Sequence, residues 1–218
     1  MSRGPAVVSG AGSGIGRAIA GALGRRGHPR ALLGRRRQPL EETLGAAGGT
    51  GRAWPCDVRD PEAVSAVSRE VPAAWGAPEV VVPAAGVTAI APLEELAPGA
   101  FRETLDTNLL GVCHLFRAFL PAMKAAGQGR LVPILSVAAT RGFPGWSAYC
   151  ASKWGLRGLV AALREELAGS GVLLTAVYPG ATDTPLWYEV PGKWDRSRMV
   201  PVGEVARALV YALDTEPP

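Results

Sequence analysis

Six short runs, apolar almost throughout and each followed by a longer amphipathic stretch, leave this chain few ways to fold. A-V-V-S (residues 6–9), A-L-L-G (31–34), A-W-P-C-D (53–57), E-V-V-V-P (79–83), R-L-V-P-I-L-S (130–136) and V-L-L-T-A-V-Y (172–178) read as strands. Helices are expected over 14–26, 39–47, 61–75, 100–126, 146–169 and 202–213, the last started by Pro201, where proline is tolerated. A strand that does not alternate apolar with polar residues is buried on both faces. Regular strand–helix alternation then gives an α/β fold, a parallel sheet with helices on both sides. No linker, repeat or low-complexity segment interrupts the 218 residues, which predicts one domain over residues 1–218.

Two prolines test the layout. Pro55 lies in the third strand, an edge in the doubly wound order 3-2-1-4-5-6, where a missing N–H is harmless. Pro133 lies in the fifth, which is internal, so a local irregularity is expected there.

Composition narrows the function. With 48% hydrophobic residues the chain has material for a core. Its net charge of +4 comes mostly from scattered arginines, and the one dense cluster, Arg35–Arg36–Arg37, has no interleaved aromatics, so a nucleic-acid partner is not expected. Three cysteines without a C-x-x-C, and two isolated histidines, argue against a disulfide framework or a metal centre. No apolar run looks long enough to cross a bilayer. The N-terminal residues M-S-R-G-P-A-V-V-S-G lack a signal-peptide core, which favours the cytoplasm and no membrane partner.

S-G-A-G-S-G-I-G (9–16) sits between the first strand and the first helix. Gly10, Gly12, Gly14 and Gly16 allow a tight turn and close backbone approach. With Ser13 and Ile15 they open a helix whose free N–H groups suit a pyrophosphate. No G-K-[ST] follows, which excludes a Walker-type loop. At the end of the second strand, where NAD-binding sheets carry an acid for the ribose 2′-hydroxyl, the chain reads L-L-G-R-R-R-Q. No Asp or Glu occurs from Ala18 to Leu40. Gly34 leaves room, Arg35 supplies a guanidinium fork for a 2′-phosphate with Arg36 beside it, and Arg37 reads as a solvated turn residue. NADP(H) is therefore preferred over NAD(H).

S-A-Y-C-A-S-K-W-G (147–155) puts Tyr149 and Lys153 four apart on a helix, hence on one face. An ammonium ~5 Å from a phenol, at an effective dielectric of ~20, favours the phenolate by ~3 kcal/mol, or ~2 pK units. Lys153 is thus expected to draw Tyr149 toward working pH. Cys150 points elsewhere and reads as packing, while Ser147 and Ser152 read as helix-start and helix-face residues.

The glycine turn and the Tyr–Lys pair together resemble the short-chain dehydrogenase/reductase family, and the likeness covers nearly the whole chain. Ser9–Gly16 is similar to its T-G-x-x-x-G-x-G turn, with Ser9 replacing Thr. C-D-V (56–58) resembles its adenine-contacting Asp-Val, as Asp57 and Val58. N-L-L-G (108–111) and L-S-V-A-A (135–139) resemble segments carrying its catalytic Asn and Ser, as Asn108 and Ser136. Y-P-G-A-T-D-T (178–184) resembles the segment that closes over the nicotinamide, with Pro179, Gly180, Thr182 and Thr184.

The resemblance implies catalysis by Asn108, Ser136, Tyr149 and Lys153. Tyr149 would move the proton and Ser136 would orient the oxygen. Lys153 would hold the nicotinamide ribose, and Asn108 would position a water linking Lys153 to solvent. Two departures stand out. P-A-A-G (83–86) replaces N-N-A-G, keeping Ala85 and Gly86 for the cofactor but predicting weaker local bracing. The family's seventh strand is apparently absent. Apolar stripes on 100–126 and 146–169 resemble the family's dimer interface, implying a homodimer or homotetramer.

Residues 186–199 follow Thr184, and a short lid is expected over about 186–200. Ser136, Phe143, Trp146, Tyr149 and Trp187 are the expected substrate contacts, with Tyr188 and Trp194 nearby. They suit a medium-sized apolar or aromatic ketone, aldehyde or secondary alcohol. An alcohol or sugar dehydrogenase, a 3-oxoacyl-carrier-protein reductase greeted by Arg141, Lys193, Arg196 and Arg198, and a non-catalytic NADP(H)-binding regulator are the alternatives.

Overall fold

The structure, a computed structural model, describes residues 3–188, 190 and 192–215. Six parallel strands form the main sheet: β1 (Ala6–Ser9), β2 (Arg30–Gly34), β3 (Gly51–Pro55), β4 (Val80–Pro83), β5 (Gly129–Leu131) and β6 (Val172–Leu174). Their order is 3-2-1-4-5-6, as the alternation predicted. The central register pairs Val7 with Ala31 on one side and Val81 on the other. Among the described residues seven α-helices cover the sheet: α1 (Gly14–Arg25), α2 (Arg37–Ala47), α3 (Pro61–Trp75), α4 (Pro98–Leu105), α5 (Gly111–Ala126), α6 (Ser147–Glu166) and α7 (Val202–Asp214).

The sheet explains why its strands are apolar throughout. Alternate side chains of one strand feed opposite faces. Ala6 and Val8 pack with Ile19 and Leu23 of α1 and Leu209 of α7. Val7 joins Val64 and Val67 of α3, Phe116 and Phe119 of α5 and Leu156 of α6.

Pro55 lies on the edge strand β3. Pro133 produces the expected irregularity. β5 stops at Leu131, and pairing with the chain after β6 resumes as a single bridge between Ile134 and Val177. Both strands are accordingly shorter than the sequence suggested. Residues 98–126 form one long helical run, but a π turn over Asp106–Leu110 separates α4 from α5. This run corrects the membrane argument from sequence: Pro98–Ala126 does reach the length and mean hydropathy (1.3) of a bilayer span. Part of its apolar surface is used within the fold, since Val112, Leu115, Phe116, Phe119 and Met123 are buried in the core.

A feature absent from the sequence reading is the two-residue parallel pair of β7 (Thr182–Asp183) and β8 (Val200–Pro201). It ties together the two ends of the segment expected to be a lid. Glu189 and Pro191 of that segment lie outside the described residues, as do residues 216–218.

Candidate active site

The carboxyl ends of β1, β4 and β5 and the loops after them converge on one crevice, where ligands bind in open α/β sheets. Ser9 ends β1 and the glycine turn follows. Gly10 has φ +64°, and a Cβ there would stand 2.7 Å from the Ala85 backbone. A Cβ on Gly16 would meet the Gly10 carbonyl oxygen at 2.3 Å. Larger residues at these two positions would push the chains apart. Ser13 occupies the N-cap of α1 without a side-chain hydrogen bond to the helix, so no side-chain cap occupies the first-turn N–H groups.

One cleft is lined by Gly10, Gly12, Ser13, Gly34, Arg35, Arg36, Asp57, Val58, Ala85 and Gly86. Ile15, in the first turn of α1, instead packs its partly buried side chain against the core. Among the described residues Arg35 and Arg36 make no ion pair, whereas Arg37 pairs with Glu41 at 3.5 Å. An uncapped helix start, a crowded glycine turn and two unpaired guanidiniums fit a phosphorylated dinucleotide. Asp57 adds a complication. Arg59 takes both its oxygens, Nε to Oδ1 at 3.0 Å and Nη2 to Oδ2 at 2.6 Å, and reaches Glu103 of α4 at 3.1 Å. The Arg59 hydrogen bonds hold the Asp57 carboxyl below the usual carboxylate range, with a smaller contribution from the charge of Arg35. Sequence reasoning named Asp57 and missed its partner two residues on.

The loop that lost two asparagines is braced after all. Ser9 Oγ accepts from the backbone N–H groups of Ala84 and Ala85, each at 3.2 Å. Further along, Val87 N–H donates to Asn108 Oδ1 and Asn108 Nδ2 donates to the Val87 carbonyl, both at 2.9 Å. The serine at the start of the glycine motif thus supplies part of the bracing expected to be weak.

Asn108 sits in the π turn, 0% exposed. With its side chain committed to Val87, its remaining donor contact is to Ser152 Oγ at 3.1 Å. Ser152 in turn donates to the Tyr149 carbonyl at 2.7 Å. Ser152 is 0% exposed, which corrects its reading as a helix-face residue. It pins α6 to the π turn. A small residue at an inward position carries no sequence signal for such a role. Ser147 begins α6 as expected. Ser152→Ala would leave a buried Asn108 donor unpaired, so a stability loss of about 1–3 kcal/mol is expected in urea unfolding.

Tyr149 is part-buried, and Lys153 Nζ lies 5.6 Å from its ring centroid. The Ser136 side chain faces the phenol from the turn after β5. Burial raises the Tyr149 pKa, and hydrogen bonding with Ser136 opposes the rise. This is the reverse of the downward shift expected from Lys153. Desolvation of the phenol is the largest cause of the rise, and the Lys153 ammonium in the same dry surroundings donates to the Ile134 carbonyl at 2.8 Å.

Lys153 is 6% exposed, and burial lowers its pKa from 10.5 to about 8. Between these values the unfolded chain binds more protons than the folded one. Stability therefore rises with pH through that window. Relative to Lys153→Met, wild type should gain about 3 kcal/mol between pH 8 and 10.5, read by urea unfolding across pH.

The remaining expected contacts gather around this pair. Val137 N–H donates to the Pro179 carbonyl at 3.0 Å, bringing Pro179 and Gly180 beside Ser136. Thr182 turns its hydroxyl to the Gly180 carbonyl at 3.0 Å. Thr184 is buried and packs against the glycine turn, where a Cβ on Gly14 would touch its side chain at 3.3 Å. Phe143, Trp146, Tyr149 and Trp187 form one ring cluster: Trp146 lies 6.3, 5.5 and 5.9 Å from the other three. Of the four basic residues considered for an acidic carrier, Arg196 is paired with Asp183 and Arg141 lies over Phe143.

Comparison with known proteins gives the family of the chain. A family profile described as short chain dehydrogenase matches residues 5–193. The chain is 35% identical to D-threitol dehydrogenase of Mycolicibacterium smegmatis over 94% of its own length and 84% of that protein's. It is 34% identical to glycine betaine reductase of Emericella nidulans over 95% of its length, but spans only 17% of that protein. An alcohol dehydrogenase structure from the archaeon Thermococcus sibiricus, complexed with 5-hydroxy-NADP, superposes with a TM-score of 0.90 at 33% identity, covering 99% of this chain and 92% of that one. The chain belongs to the short chain dehydrogenase family of oxidoreductases, which bind a nicotinamide dinucleotide and act on small molecules.

Proposed function

We propose that this chain is an NADP(H)-dependent carbonyl reductase in which Tyr149 is the general acid and base. The observation that carries the reading is Tyr149 between Ser136 and Lys153, where the loops after β5 and β6 meet the glycine turn. The bound nicotinamide supplies the hydride in reduction and takes it in oxidation. Tyr149 protonates the carbonyl oxygen, and Ser136 hydrogen-bonds the same oxygen to orient it. A phenol pushed up in pKa keeps its proton at neutral pH, the form that reduction needs, but gives it up less readily than one drawn down toward that pH.

Lys153 returns the proton to Tyr149, and its pKa of about 8 lets it exchange with water. The Asn108 side chain is committed to Val87 and Ser152, so its part is to hold the loop after β4, the π turn and α6 in register. Gly10 to Gly16, Ala85, Gly86, Pro179, Gly180, Thr182 and Thr184 would bind the cofactor. Val58 and Asp57 would face its adenine, and Gly34, Arg35 and Arg36 its 2′-phosphate.

Phe143, Trp146 and Trp187 would contact a carbonyl substrate or the matching alcohol, under a lid over about 186–200. Exposed Leu110 and Trp154, beside α5 and on α6, support a homodimer or homotetramer. The same reading takes residues 1–218 as one domain working in the cytoplasm, with neither nucleic acid nor membrane as partner. Loss of nicotinamide absorbance with a ketone and aldehyde panel tests it. NADPH-dependent turnover is expected, and tight NADPH binding without turnover of any carbonyl would favour the regulator.

A further inference from the structure

Trp146 is the hub of a ring cluster that extends beyond the expected substrate contacts. Its centroid lies 5.5 Å from that of Tyr149, 5.9 Å from Trp187 and 6.4 Å from Trp194. Trp187 and Trp194 are 4.8 Å apart. Every one of these pairs is tilted or edge-on, the orientation that ring quadrupoles favour. Trp187 is anchored independently of the cluster, its indole N–H donating to the Thr182 carbonyl at 2.8 Å.

A site for an aliphatic chain needs only apolar surface, which leucine or methionine supplies. Three indoles beside one phenol reward something narrower, a guest with its own π face and positive ring edge. Aromatic faces also attract cations. Here the surroundings oppose a cationic guest. The Arg141 guanidinium already lies over Phe143 at 4.8 Å, and the buried Lys153 ammonium lies 5.6 Å from the Tyr149 ring centroid. A second positive charge among these groups would be repelled, and a neutral flat ring would not.

We propose that the substrate is an aromatic carbonyl compound, or the matching aryl-bearing secondary alcohol, whose ring packs against the joined Trp146–Trp187–Trp194 cluster beside Tyr149. The proposal rests on the reading of Tyr149 given above. Reduction adds a hydride to the carbonyl carbon and the Tyr149 proton to its oxygen, leaving NADP oxidised.

The test compares 1-phenylpropan-2-one with 1-cyclohexylpropan-2-one. In both, a methylene separates the ring from the carbonyl, so ring conjugation does not alter the chemistry. The phenyl ketone is expected to have roughly tenfold higher kcat/KM, the size one or two favourable ring contacts give. Trp146→Leu and Trp187→Leu, each checked for folding by circular dichroism, should each shrink that ratio. Calorimetric binding of the two corresponding alcohols to the NADP-loaded protein reads the same preference without turnover.

Equal turnover and equal binding of the two rings would overturn the inference and leave the reading of Tyr149 standing. Aryl-selective binding without turnover of either ketone would support the inference and defeat that reading. A preference for a trimethylammonio ketone of similar size, or no binding by either alcohol, overturns the inference.

Discussion

Tyr149→Phe is expected to lower kcat for carbonyl reduction by about three orders of magnitude while NADPH affinity stays within about twofold. The substitution removes one oxygen and keeps the ring. Trp146 at 5.5 Å and the Lys153 ammonium at 5.6 Å keep their neighbour, so the pocket has no cause to collapse. What is lost is the proton donor and the group that Ser136 faces. The wild-type pH profile carries the sign. Burial raises the Tyr149 pKa, so the acid form persists through neutral pH. Reduction should therefore be level there and fall on the alkaline side, as Lys153 near pH 8 and then Tyr149 lose their protons. Alcohol oxidation, which needs the deprotonated phenol, should rise over the same range. The Lys153 step near pH 8 should persist in the variant, and a residual rate that also kept the later, more alkaline step would show that a group other than Tyr149 moves the proton.

The order of the sheet was legible because buried parallel strands leave a coarse mark. Val7 is apolar for one layer, and Ala6 and Val8 are apolar for the other. The glycine turn was legible for a similar reason, since a Cβ at Gly10 or Gly16 collides with backbone, which leaves glycine as the residue that fits. What escaped depends on contacts between residues far apart in the chain. The π turn at Asp106–Leu110 has no propensity signature, and its effect is to bury Asn108 against Val87 and Ser152. Ser152 is an ordinary helix residue until that partner is known. β7 and β8 are two residues each and pair across the whole 184–199 segment, so neither half is visible alone. The sign of the Tyr149 shift failed on burial. Pair spacing on a helix measures the attraction of Lys153 but not how dry the phenol is.

Arg35→Ser is expected to weaken NADPH about fiftyfold and to leave NADH within about twofold, because one charge-assisted fork to a phosphate is worth roughly 1.5–3 kcal/mol. The local chemistry supports the asymmetry. Gly34 ends β2 with a Leu40 methyl 3.2 Å from where a Cβ would stand, so a side chain there would crowd the turn. Arg37 is spoken for by Glu41, and Asp57, the nearby acid, is chelated by Arg59. That leaves Arg35 and Arg36 as the lining guanidiniums with no carboxylate of their own among the described residues. Only the 2′-phosphate distinguishes the two cofactors, and an exposed pairing with it is screened by salt. Wild-type NADPH affinity should accordingly fall more steeply with ionic strength than NADH affinity, and Arg35→Ser should bring the two slopes together. Dissociation constants for both cofactors across a salt series decide the matter. An equal loss for NADPH and NADH would mean that Arg35 shapes the turn instead of reading the phosphate, and the preference for NADP(H) would then have to be carried by Arg36.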